Sequence, residues 1–154
     1  MKETPVASLE SIYNFRQLND NLATSGQPDE AELQEIAAAG YEVMINLGLS
    51  DAPYAIADEP AILQRHGVRY EQIPVNFQAP QRADLRRFTE LFNTVSRQKV
   101  FVHCAANKRV SVFLALYRIL ELEWREENAL EDVHAIWQPD EVWQAFIDEA
   151  LGNR

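Results

Sequence analysis

From Ser111 to Leu122 the chain is apolar on almost every side, with Val112, Phe113, Leu114, Leu116, Ile119 and Leu120 distributed right around a helix. Such a helix needs packed structure on all its faces, which places it at the centre of the molecule. Directly upstream, Val100–His103 reads as a buried strand, and a short turn, Cys104 to Val110, joins strand to helix. Strand, tight turn and central helix together aim backbone N–H groups and the positive helix end at one point. The chain's single cysteine, Cys104, stands at that point.

The remaining pattern alternates strands with helices. Strands are expected over Leu22–Ser25, Tyr41–Leu47 and Val68–Val75, with Pro74 favouring an edge or terminal position for the last. Helices are expected from Pro28 to Gly40, over Glu59–Arg65, from an N-cap at Asp84, over Glu126–Ile136 and over Pro139–Leu151. Residues 1–21 read as an irregular arm pinned by Ile12, Tyr13 and Phe15. Alternation of this kind predicts an α/β fold, a central mostly parallel sheet flanked by helices, in one domain spanning residues 1–154. Ligands of such sheets bind beyond the carboxyl ends of strands, where Cys104 lies.

The formal net charge of −10 argues against general nucleic-acid binding. No apolar run approaches the roughly 18 residues of a membrane span, and the amino terminus lacks a signal-peptide core, so a cytoplasmic location is expected. One cysteine and three scattered histidines (His66, His103, His134) offer no disulfide and no metal site, and no cofactor is implied. Any anion site must be a local basic spot in an acidic field.

Taken alone, Cys104 also reads as a small buried hydrophobe at a strand end. Its surroundings favour chemistry. A helix N-terminus with Lys108 and Arg109 nearby favours a thiolate, the useful nucleophile. The same N–H groups suit phosphate oxygens, and an arginine fork can bond two of them at once.

The string Val102-His103-Cys104-Ala-Ala-Asn-Lys-Arg109-Val-Ser111 resembles the signature loop of cysteine-based protein phosphatases. With Phe15-Arg-Gln-Leu18, Ser25-Gly-Gln-Pro28, Val43-Met-Ile-Asn-Leu47, Tyr70-Glu-Gln-Ile-Pro-Val75, Ile136-Trp-Gln-Pro-Asp140 and Trp143, it resembles a bacterial protein-tyrosine-phosphatase-like family, also described as beta-lactamase-hydrolase-like. The resemblance implies the compact dual-specificity-phosphatase fold. It implies Cys104 as nucleophile, with phosphate cradled by the backbone of Ala105, Ala106, Asn107, Lys108, Arg109 and Val110. His103 would support the loop and favour the thiolate, and Ser111 would hydrogen-bond it.

Two departures stand out. The wider signature has five residues between cysteine and arginine, whereas four separate Cys104 from Arg109, so Val110 occupies the arginine's usual position. Asn76 stands where related phosphatases carry an acidic proton donor; Asp84 is the nearest carboxylate, with Asp51, Asp58 and Glu59 as alternatives. The leading expectation is a cysteine-dependent phosphatase acting through a phosphocysteine on a phosphorylated small molecule or protein. A non-catalytic phosphate-binding module and a rhodanese-like sulfurtransferase are the alternatives.

Overall fold

The computed structural model describes residues 9 to 152. Among them run β1 (Arg16–Asn19), β2 (Leu22–Ser25), α1 (Glu30–Ala38), β3 (Val43–Asn46), α2 (Glu59–Arg65), β4 (Arg69–Gln72), α3 (Arg82–Val95), β5 (Val100–His103), α4 (Lys108–Leu120), α5 (Glu126–Ile136) and α6 (Glu141–Ala150). One five-stranded sheet has the order β1-β2-β5-β3-β4, antiparallel only between β1 and β2. The expected mixed α/β fold is present. β4 lies at the edge, where Pro74 just beyond it does no harm to the ladder.

Side chains alternate across the pleat, and that alternation divides the core. Val43, Ile45, Val100 and Val102 face one side with Leu85, Phe88, Phe113, Leu116, Val133, Trp143 and Phe146 from α3 to α6. Met44, Phe101 and Ala23 face the other, with Leu33 and Ile36 of α1 and Ile62 and Leu63 of α2. Helix α4 has eleven buried residues and fills the centre of the first layer, as its all-round apolar composition requires.

Several boundaries differ from expectation, each for a local reason. Residues 16–19 form a strand because β2 offers it an antiparallel partner through a two-residue turn at Asp20-Asn21. Of the arm residues, Ile12 is buried and Phe15 packs against the second core layer, but Tyr13 is 61% exposed. The arm's first eight residues lie outside the described residues. Helix α1 starts after Pro28, capped by Asp29 in a reciprocal capping box with Glu32, an arrangement worth about 0.5–2 kcal/mol. Asp84 is not an N-cap. Gln81 precedes α3 in extended conformation, and Asp84 sits in the first turn, 3.8 Å from Arg87. Helix α4 opens at Lys108, three residues before Ser111, because Asn107 adopts φ 65° and starts the helix there.

Candidate active site

The parallel register sets the site's floor. Ser25 of β2 and Asn46 of β3 both pair with His103, so the three central strands end at one level. Beyond that level lie Gly26-Gln27, the 104–107 turn and Leu47-Gly48. Val75 reaches the same rim, its N–H donating to Leu47 O at 3.1 Å.

The turn's peptide planes are held from outside. Cys104 O is 3.2 Å from His103 Nδ1, Ala105 O accepts from the Gln27 N–H at 3.0 Å, and Ala106 O accepts from Asn14 Nδ2 at 3.0 Å. In a trans peptide the C=O and the following N–H point in opposite directions. The N–H groups of Ala105, Ala106 and Asn107 therefore face away from these three donors. The N–H groups of Lys108, Arg109 and Val110 belong to the first turn of α4, where no intrahelical acceptor exists. This arrangement can receive an anion.

Gly26 makes the clamp possible. A Cβ there would come within 2.6 Å of Ala105 O and 3.2 Å of Ala106 Cα. Asn107 closes the turn on the other side, its amide donating to Asn14 O and to Thr24 Oγ1, both at 2.9 Å.

Cys104 is fully buried at the end of β5 and belongs to the first core layer. His103 is fully buried beside it, and its Nε2 lies 2.5 Å from Glu59 Oε2. Glu59 is only 2% exposed and accepts from Gln27 Nε2 at 3.1 Å through its other oxygen. Glu59 is thus the buried partner of His103, not an acid in another loop. Burial of the ring, with the Glu59 charge adding to it, pushes the Tyr70 phenol up to about 12, against a hydrogen bond from Asn46.

Arg109 turns inward. It is 4% exposed, donates from Nη1 to Val75 O at 2.8 Å and from Nη2 to Tyr54 Oη at 3.2 Å, and leaves Nε buried without a partner among the described residues. Val110 is fully buried in the core, so the side chain at the arginine's usual position is a packing residue. Ser111 has both hydroxyl functions engaged. It donates to Lys108 O at 2.7 Å and accepts from Trp137 Nε1 at 3.1 Å. Lys108 lies over Trp137 and Phe77, at 5.3 and 6.0 Å from the ring centroids. Phe77 in turn packs on Trp143, whose Nε1 donates to the Phe77 carbonyl at 2.7 Å.

Asn76 is exposed, and its Oδ1 caps its own turn by accepting from the Gln78 N–H at 2.9 Å. Among the described residues no group of three or more His, Cys, Asp or Glu is placed to hold a metal, and no helix is long and apolar enough to cross a membrane.

No family model matches the chain. Beta-lactamase hydrolase-like proteins of two Xylella fastidiosa strains are 30% identical over 122 residues, which is 76% of this chain. The chain spans only 28% of those relatives' length. A DUF442 candidate phosphatase from Shewanella putrefaciens CN-32 superposes with a TM-score of 0.86 at 28% identity, covering 96% of this chain and 97% of that one. Tk-PTP in its active form gives 0.71 at 19% identity, covering 92% and 98%. Kinase associated phosphatase, solved with its catalytic-site cysteine replaced by serine, gives 0.74 at 14% identity, covering 86% of each chain. The chain has the protein-tyrosine-phosphatase-like fold. Within that fold it is similar to a DUF442 candidate phosphatase and to beta-lactamase hydrolase-like proteins, the second being the resemblance that the sequence motifs carry.

The phosphatase-like framework is legible in the sequence around Cys104, but four contributors are not. Asn14, Gln27, Tyr54 and Phe77 act on the loop or on Arg109 from distant segments. Only the Ser25-Gly-Gln-Pro28 string, a conspicuous turn after β2, signalled one of them.

Proposed function

We propose that this chain is a cysteine-dependent phosphatase that hydrolyses a phosphoester through a phosphocysteine intermediate. The observation that carries the reading is the turn after β5, where three successive carbonyls are tied outward and the helix N-terminus follows. Phosphate oxygens would accept from the N–H groups of Ala105 to Val110. The Cys104 thiolate would attack phosphorus as the bond to the leaving-group oxygen breaks. Water would then attack phosphorus, break the S–P bond, restore the thiolate and release phosphate.

The leaving oxygen needs a proton, and Asn76, an amide, cannot act as an acid. Asp84 pairs toward Arg87, and Glu59 is committed behind the loop. Water supplies the proton in this scheme, so the substrate is a phosphoester with a weakly basic leaving group, such as an aryl phosphate. His103 supports the loop through its bond to Cys104 O. Ser111, with both hydroxyl functions occupied, holds Trp137 and the first turn of α4.

Aryl phosphate hydrolysis by the native chain, abolished by Cys104→Ser and falling steeply as the leaving group becomes more basic, is the expected result. Arg109's bonds to Val75 and Tyr54, with the full burial of Cys104, favour the second reading, a phosphate-binding module without turnover. Tight inorganic phosphate binding with no hydrolysis across a phosphoester panel would establish that module and refute the phosphatase. Persulfide formation on Cys104 from thiosulfate would instead support a sulfurtransferase.

A further inference from the structure

Behind the loop, four groups close a hydrogen-bonded ring. Gln27 N–H holds Ala105 O at 3.0 Å, and Gln27 Nε2 holds Glu59 Oε1 at 3.1 Å. Glu59 Oε2 meets His103 Nε2 at 2.5 Å, and His103 Nδ1 lies 3.2 Å from Cys104 O. Cys104 and Ala105 are consecutive, so both ends of the ring seize adjacent peptide carbonyls.

The direction of each bond follows from chemistry. A carbonyl only accepts, so His103 Nδ1 carries a hydrogen. The hydrogen between His103 Nε2 and Glu59 sits on either atom without altering the Nδ1–H donation. Gln27 Nε2 also donates to Pro28 O at 2.9 Å. Both its neighbours are acceptors, which fixes the amide's orientation and spends both its hydrogens. Gln27 Oε1 is left buried without a partner among the described residues. Buried polar groups are normally satisfied, so this geometry is retained at some cost to stability.

We propose that Glu59 and Gln27 are positioning residues for the anion cradle. They hold the His103 ring with its Nδ1–H on Cys104 O and hence fix the orientation of the Cys104–Ala105 and Ala105–Ala106 peptides, whose N–H groups would face a bound phosphate. This rests on the phosphate reading of the loop. The role is one of orientation rather than charge, and that difference is testable. A glutamine at position 59 presents an oxygen to Gln27 and an N–H to His103 Nε2, so the ring closes again without a carboxylate. An alanine leaves it open.

The test measures two things on the native chain, Glu59→Gln, Glu59→Ala and Gln27→Met. Nitrogen NMR of the His103 ring reports where its hydrogen resides, and calorimetry with inorganic phosphate reports the cradle. The native chain and Glu59→Gln are expected to show protonated Nδ1 and phosphate affinities within about threefold of one another. Glu59→Ala is expected to lose the protected Nδ1–H signal and about tenfold or more in affinity. Gln27→Met keeps the backbone bond to Ala105 but removes the link to Glu59, and is expected to lose several-fold. If Glu59→Ala fails to fold, Gln27→Met alone decides, and native affinity there overturns the proposal. Equal weakness of Glu59→Gln and Glu59→Ala, or a native His103 protonated only at Nε2, also overturns it. A native chain that binds no phosphate, with the ring signal intact, would instead refute the phosphate reading while leaving the ring standing.

Discussion

Replacing Gly26 by alanine tests the clamp from the side opposite Cys104. The new methyl group would meet Ala105 O at 2.6 Å, Tyr13 Cδ2 at 2.7 Å and Ala106 Cα at 3.2 Å. Tyr13 is largely exposed and can swing aside. Ala105 O cannot, because the next residue, Gln27, holds it at 3.0 Å. Returning that contact to ordinary van der Waals distance requires the loop and Gly26 to separate by about 0.8 Å. Overpacking of this kind costs about 1–3 kcal/mol, a fall in Tm of roughly 2–12 °C for a chain of this size. The functional loss is larger in proportion, since a displacement approaching 1 Å at a reacting centre costs about 100-fold in rate, and the same displacement draws the loop N–H groups away from an anion. Thermal melting followed by circular dichroism and calorimetry with inorganic phosphate measure the two effects. The expected variant is folded, moderately less stable and severely weakened in phosphate binding, and adding Tyr13→Ala does not restore it. A Gly26→Ala chain with native Tm and native affinity would refute the rigid clamp.

Other expectations follow from the same geometry. The Tyr70 phenol, raised to about 12, remains protonated in the folded chain while the unfolded chain's tyrosine ionises near 10. Its contribution to stability is therefore full below pH 10 and declines as pH rises toward 12. A spectrophotometric titration of Glu59→Gln should move this phenol downward by removing the carboxylate's charge, with burial still holding it above the ordinary value; an unmoved titration would show that burial alone raises the phenol. Arg109→Ala leaves Val75 O without its donor and takes one of two donors from Tyr54 Oη, which keeps the Leu49 N–H at 2.9 Å; it should cost about 1–3 kcal/mol in urea unfolding, with weaker phosphate binding. Unchanged stability would show that the Val75 and Tyr54 bonds contribute nothing in solution.

How much of this could be read from the chain depends on how local each cause is. Strands β2, β3 and β5 and helix α4 announce themselves because their burial is written into contiguous residues. The Cys104 turn is legible for the same reason, since strand end, turn and helix start adjoin. β1 is not, because Arg16-Gln-Leu-Asn19 is half exposed and acquires strand geometry only from pairing with β2. The N-cap of α3 is not legible because Asp84 is a good capping residue in general, while Arg82 and Ala83 continue the helix back to Gln81. The ring through Gln27, Glu59 and His103 joins segments dozens of residues apart. Nothing in the local pattern of any one of them requires the others.

The displaced arginine poses the sharpest question, and Val110→Arg answers it. Comparison with the usual signature makes this substitution look like a restoration, but the structure predicts damage. Helix α4 begins at Lys108, so residues 109 and 110 differ by about 100° around its axis. Arg109 accordingly reaches across to Val75 and Tyr54, while Val110 enters the core that also holds Cys104. An arginine at 110 must either bury an unpaired guanidinium among apolar side chains or rotate the start of α4. Rotation would pull Arg109 from its two partners and Asn107 from Thr24 and Asn14. Either route should exceed about 4 kcal/mol, a large part of the roughly 5–15 kcal/mol by which a domain is stable. The expected result is an unfolded or strongly destabilised chain by urea titration, with no gain in aryl phosphate hydrolysis even when Asn76→Asp supplies a carboxylate. A Val110→Arg chain with the native unfolding midpoint and faster hydrolysis would show that the helix start accommodates the usual spacing, and that Arg109 is dispensable to the loop.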